Sequence, residues 1–271
     1  MDRVLLRKVQ AEQLDIAKEI KRVCDENGIQ YFLCFGTLLG AVRHGGFIPW
    51  DDDMDMGMVR SEYDRFLQIA PEKMHPDYFV QTWYSDPEFP LPYAKVRKRG
   101  TVYLENKSSR LQENGFFVDI FPFDYCPAED DQFASVSARL RGLFRTKLMK
   151  AGFTPWMEEG RINWMKRLGY VYYQIKALIA DSESLAADYD RLATSALEGE
   201  TVFCQEGITK MGRIPRAWCE ELTELPFEGH LFKCPKHYDE MLRIRYGDYM
   251  ELPPEDRREN RHQIVQIDFG R

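Results

Sequence analysis

The stretch Tyr31–Met58, YFLCFGTLLGAVRHGGFIPWDDDMDMGM, sets four aspartates, Asp51, Asp52, Asp53 and Asp55, between an apolar run with a glycine-rich turn and a set of methionines. Uncompensated negative charge beside apolar chain is expensive, and Ile48, Pro49, Trp50, Met54, Met56 and Met58 bound the cluster closely. In an extended strand alternate side chains share a face, so Asp51, Asp53 and Asp55 point one way and Asp52, Met54 and Met56 the other. Three carboxylates on one face repel. A divalent cation resolves the repulsion, and all-oxygen ligation suits Mg²⁺ or Mn²⁺ better than zinc. Taken alone, a D-x-D is more often a solvated strand end.

Outward from this stretch, Asp2 to Asn27 repeats apolar residues at helical spacing, with Gly28 as its C-terminal stop. QYFLCF reads as a buried strand, GTLLGAVRH as a turn opening a short helix, and DDDMDMGMV as the next strand. SEYDRFLQIA reads as a helix capped by Ser61. PYAKVRK and TVYLE are strands flanking a turn at Gly100, and GFFVDIFPFD is an apolar strand ended by Pro122. Helical patterns then run from Asp130 to about Leu197, followed by short strands (TVFC, HLFK) and a final helix near KHYDEMLRIRYG. These elements predict an α+β chain: a core at residues 1–129, a helical insertion at 130–200 and a C-terminal α/β segment at 201–271, packed as one unit.

Two further features bear on the aspartates. Asp119 stands alone among Phe116, Phe117, Val118, Ile120 and Phe121, and an ionised carboxylate there needs a partner. A salt bridge to an arginine would serve, but a metal shared with Asp53 and Asp55 accounts for both oddities and is favoured. In the turn, Gly36 admits close approach to the backbone, Thr37 offers a hydroxyl, and the amides opening the following helix point at an anion with the helix dipole behind them. Phosphate beside a carboxylate-held metal is what phosphoryl transfer requires.

The chain has 271 residues with 37 Lys+Arg against 44 Asp+Glu, a formal net charge of −7, which argues against broad binding to nucleic acid or anionic membranes and leaves room for a local basic groove. Its six cysteines lack zinc-like spacing and read as reduced thiols. The charged start MDRVLLRKVQ does not look like a signal peptide, and no apolar run approaches a membrane span. A cytoplasmic location is expected.

GTLLGAVRHGGFIPWDDDMDMGM, with YAKVRKRGTVYLE, VDIFPFD and YGDYMELPPEDRR, resembles the LicD phosphocholine transferases, which are related to the fukutin group. The resemblance spans most of the chain and is weakest in the central helices. It implies a nucleotidyltransferase-like fold with a mixed-sheet core, and Mg²⁺- or Mn²⁺-dependent transfer of phosphocholine from CDP-choline to a cell-surface glycan of the teichoic acid or lipopolysaccharide type, or to its lipid-linked precursor, with peripheral contact at the inner face of the membrane. A relative moving ribitol phosphate, a nucleotidyltransferase, or a binding module without activity are the alternatives. Carried over residue by residue, the Gly-Ser turn falls on Gly36 and Thr37, which would bind substrate, while the D-x-D pair falls on Asp53 and Asp55 and the later carboxylate on Asp119, and these three aspartates make the catalytic and metal-binding set. Arg43 and His44 would contact phosphate, help activate the acceptor, or lock their loop. Lys95 would neutralise phosphate, and Trp50, Trp83, Tyr84, Trp156, Tyr246 and Tyr249 are candidates to cage a quaternary ammonium.

Overall fold

The computed structural model describes residues 1–105, 111–127, 129–153, 164–196, 198–204, 211–260 and 264–270. Its elements run α1 (Arg3–Glu26), β1 (Phe32–Leu33), α2 (Phe35–His44), β2 (Asp55–Val59), α3 (Arg60–Lys73), β3 (Tyr78–Gln81), β4 (Ala94–Lys98), β5 (Val102–Glu105) and β6 (Phe117–Tyr125). Then come α4 (Asp130–Lys150), α5 (Trp164–Ile179), α6 (Ser182–Ala193), β7 (Thr201–Phe203), β8 (Ile214–Pro215), α7 (Ala217–Glu220), β9 (Leu222–Phe227), β10 (His230–Pro235), α8 (Tyr238–Tyr246) and β11 (Ile264–Asp268). The architecture is mixed α/β.

The central sheet has the order β1-β2-β6-β4-β3, with β7 and β8 continuing from the end of β6. Among the described strands of this sheet only β2 and β6 are parallel. Because side chains alternate across a strand, Met56, Met58, Val96, Val118 and Ile120 face a core shared with Val9, Ile16, Ile20 and Val23 of α1 and Tyr63 and Phe66 of α3. The opposite face carries Val59, Phe121 and Phe123, packed with Phe32, Phe35 and Val202. Gly57 lies on this second face, where a methyl group would stand 2.5 Å from the Phe32 ring and 2.8 Å from that of Phe123. Glycine here lets two aromatic rings close over the strand.

Several boundaries differ from the sequence reading. The strand read over DDDMDMGMV begins only at Asp55, so residues 51–54 are a loop and the strand alternation expected for Asp51, Asp53 and Asp55 does not apply to them. The strand before the turn is only Phe32–Leu33: Cys34 still donates to the Asp55 carbonyl (3.2 Å), but Phe35 has φ 50°, so a bulky left-handed residue turns the chain into α2 ahead of Gly36. Helix α3 is entered directly from β2 at Arg60 with Val59 as N-cap, so Ser61 is internal. Arg60 is drawn inward by a buried ion pair with Asp124 (2.5 Å). Strand β6 does not end at Pro122 but continues to Tyr125. The Asp119 amide donates toward β2, to Met54 O (2.9 Å), so by alternation the Pro122 nitrogen faces the β4 side. There the pairing has already stopped at Ala94–Ile120, and the missing N–H is not needed. Strands β4 and β5, although consecutive, do not pair with one another; β4 lies between β6 and β3, and β5 pairs with β11.

Candidate active site

The two strands that carry the odd carboxylates are neighbours, and their register decides the site. Asp55 on β2 is paired with Asp119 on β6, and Asp119 in turn with Lys95 on β4. Three ionisable side chains therefore stand at one level of the sheet on one face. All are buried: Asp55 is 7%, Asp119 6% and Lys95 3% exposed. Lys95 Nζ lies 3.1 Å from Asp119 Oδ1 and 3.6 Å from Glu105 Oε2, and 3.3 Å from the centroid of the Phe117 ring. The partner that Asp119 requires is thus a lysine from the adjacent strand. Even so, Oδ1 of Asp119 accepts no well-directed hydrogen bond, and burial, opposed by Lys95 and reinforced by Glu105 and Asp53, pushes its pKa up to about 6.

The loop before β2 is held by α1. Gln10 and Gln13, buried on the apolar face of that helix, donate through Nε2 to the carbonyls of Asp51 (2.8 Å) and Asp52 (2.7 Å). Asp52 points into the interior, where the Tyr103 hydroxyl meets its Oδ2 at 3.3 Å. Thr37 anchors the far end, its Oγ1 accepting the Asp55 amide proton at 2.8 Å. Carboxylate oxygens of Asp51, Asp52 and Asp53 come within 4.8 Å of one another. That group forms beside Asp55 and Asp119 and does not include them.

These residues border a cavity of about 680 Å³ lined by Gly36, Asp51, Asp53, Asp55 and Asp119, with Phe35, Arg43, Trp50, Tyr93 and Phe121. A second wall comes from the C-terminal tail: Arg245, Tyr246, Asp248, Tyr249, Glu251, Leu252, Pro253, Pro254 and Arg257. Arg245 Nε donates to the Tyr246 hydroxyl (3.1 Å) and its guanidinium lies 4.2 Å from the Phe35 ring centroid, while Nη1 is buried with no acceptor. Gly36 is covered by Asp51, whose Oδ2 would stand 2.9 Å from a methyl group there. The helix N-terminus therefore faces a carboxylate.

The other sequence candidates fall in different places. Arg43 lines the cavity and fastens the tail, donating to Tyr249 O (2.7 Å) and Glu251 O (3.4 Å). His44 is at the surface, where Nε2 accepts from Arg43 Nε (2.9 Å); desolvation and the Arg43 charge depress its pKa. Lys95 is engaged with acidic partners and does not line the cavity. Of the aromatic candidates, Trp50, Tyr246 and Tyr249 line the main cavity, Trp83 and Tyr84 a separate one of about 210 Å³, and Trp156 lies outside the described residues. Sequence reasoning missed Arg245 and the glutamines. The signal for the latter was two polar residues, Gln10 and Gln13, interrupting an otherwise apolar helical stripe.

A strand-turn-helix unit and a cluster of carboxylates thus border one cavity. Residues 28–141 match the model of the LicD/FKTN/FKRP family, nucleotidyltransferase domain. The lipopolysaccharide cholinephosphotransferase LicD of Haemophilus influenzae is 29% identical over 277 residues, covering 97% of each chain. Ribitol 5-phosphate transferase FKRP of Homo sapiens is 46% identical over 115 residues, which is 40% of this chain and 20% of that protein.

Proposed function

We propose that the protein transfers a phospho-alcohol, phosphocholine from CDP-choline, to a hydroxyl of a cell-surface glycan or its lipid-linked precursor. The observation that carries this reading is the cavity itself: carboxylates of Asp51, Asp53, Asp55 and Asp119 on one side, and the buried, acceptor-less Nη1 of Arg245 contributed by the tail. The donor set fits a hard divalent cation, being all carboxylate, with one buried oxygen of Asp119 lacking a well-directed donor. Asp53, Asp55 and Asp119 would hold Mg²⁺ or Mn²⁺, with Asp51 beside them. When bound, the ion neutralises charge on the donor diphosphate.

The chain's own groups supply the rest. Arg245 pairs with a phosphate oxygen and gains the acceptor it lacks. Lys95 limits the repulsion between Asp119 and its neighbours, so that the carboxylates can sit together before substrate arrives. The Thr37 hydroxyl fixes the Asp55 backbone. Trp50, Tyr246 and Tyr249 are the aromatic surfaces a quaternary ammonium would meet. In the reaction the acceptor oxygen attacks the phosphorus bearing the choline, the bond from that phosphorus to the bridging oxygen breaks, CMP departs with the bridging oxygen, and the acceptor proton is released. The local identity to a ribitol 5-phosphate transferase keeps that alcohol as the second reading.

The test is CMP release from CDP-choline, CDP-ethanolamine and CDP-ribitol in the presence of Mg²⁺ and a glycan acceptor. CDP-choline should turn over fastest, and Asp53→Asn and Asp55→Asn should each lower the rate more than about 100-fold with the fold intact. Near-normal turnover of either variant in saturating Mg²⁺ would remove the metal role. Preference for CDP-ribitol would replace choline by the second alcohol.

A further inference from the structure

Helix α5 carries an apolar stripe on which none of the described residues packs. Leu168, Val171, Tyr172, Ile175, Leu178 and Ile179 recur at three- and four-residue spacing, and each is exposed, Leu178 by 83% and Ile179 by 81%. The stripe is not the face that packs inside the protein. Ala177 is buried, its carbonyl accepts from Lys150 Nζ of α4 (3.4 Å), and the Tyr173 hydroxyl reaches toward Gly142 of the same helix. A soluble helix ordinarily turns such a stripe inward, and this one points away from α4.

Charge identifies what would cover it. Residues 132–153 and 164–179, which include most of α4 and all of α5, hold eight of the chain's 37 basic residues and none of its 44 acidic ones. These two helices are thus a basic stretch of a protein whose net charge is −7, although Lys147 is buried and adds nothing to its surface. Lys150 and Lys176 are exposed on these helices, Lys176 Nζ lying 4.8 Å from the centroid of the Tyr172 ring within the stripe. We infer that α5 is a membrane-docking helix, lying in the headgroup region of an anionic bilayer with its apolar stripe inserted and Lys176, at the edge of the stripe, against lipid phosphates. A second copy of this chain is a poor occupant, because a symmetric contact would set the basic surface against itself. No described helix is long and apolar enough to cross a membrane, so the helix lies on the bilayer. The inference stands on this surface alone and does not require the proposed transfer.

The experiment is co-sedimentation of the full chain with vesicles of phosphatidylcholine, with and without added phosphatidylglycerol, without donor or acceptor. Binding to the anionic vesicles is expected, weakened by high salt, and weak to the neutral ones. A Leu178→Gln, Ile179→Gln double variant, at positions too exposed to matter for folding, should bind at least about tenfold more weakly. Lys176→Gln should cost about fivefold, with far-UV circular dichroism unchanged. Absence of binding to anionic vesicles, or binding that the double variant leaves intact, would overturn the assignment. So would a dimer in analytical ultracentrifugation that the double variant dissolves, in a protein that ignores vesicles. None of these readouts depends on turnover, so failure here and failure of the proposed activity are distinguishable.

Discussion

Asp119 holds a proton more tightly than an ordinary carboxyl because it is buried between like charges, with only Lys95 to offset them. The consequence for stability follows from its sign. Its folded pKa, about 6, lies above its ordinary 3.8, so its stabilising contribution is complete below about pH 4 and is lost as pH rises through about 6. Urea unfolding of the metal-free protein and of Asp119→Asn across this window should show the wild type losing stability relative to the variant as pH rises. A constant difference between the two would mean that Asp119 does not titrate there. Mg²⁺ competes with that proton, so it should raise the unfolding temperature clearly at pH 7.5 and little at pH 5. The need for a partner was legible in the run FFVDIF; that the partner is Lys95 was not, since it depends on which strand lies alongside.

At the scale of elements, the unit β1-α2-β2 works because its parts come unusually close. Gly40 of α2 sits against the following loop, where a methyl group would be 2.4 Å from the Gly46 carbonyl oxygen and 3.3 Å from the Ile48 amide. Helix propensity favours alanine over glycine by about 1 kcal/mol. The clash is with backbone, which cannot swing aside, and overpacking costs about 1–3 kcal/mol. Gly40→Ala should therefore lower stability by up to about 2 kcal/mol net and, by displacing the loop that carries Asp51 and Asp53, reduce turnover; denaturant unfolding and initial rates check both. A gain in stability would show that the loop yields freely. The helix and the glycine-rich turn were readable from spacing. The left-handed residue at the turn was not, because a phenylalanine holds it, supported by its rings' packing on Phe121 and Phe123 at a conformational cost of about 1–3 kcal/mol.

Over the whole molecule, the cavity closes only because a tail some two hundred residues away in sequence returns to it. Arg43 makes that connection through the carbonyls of Tyr249 and Glu251, and the Tyr249 hydroxyl continues it by donating to Asp239 (2.7 Å). Arg43→Ala should leave the sheet and its unfolding cooperativity in place but speed limited proteolysis within residues 247–257. It should also raise KM for the CDP-alcohol more than about tenfold. An unchanged cleavage rate would show that the tail is held without Arg43.

Buried charge in an apolar setting was legible in the chain itself: Asp55 and Asp119 stand out because each interrupts an apolar run, and such runs are set by alternation along a strand. The sequence also determined the order of most helices and strands. Tertiary structure alone decided that β2 and β6 run parallel in the register that sets Asp55 beside Asp119, that Lys95 joins them from β4, that Gln10 and Gln13 fasten the acidic loop, and that Arg245 completes the cavity. Each of these is a contact between segments far apart in sequence. Such pairings are chosen by the packing of both sheet faces at once, and no local periodicity encodes them.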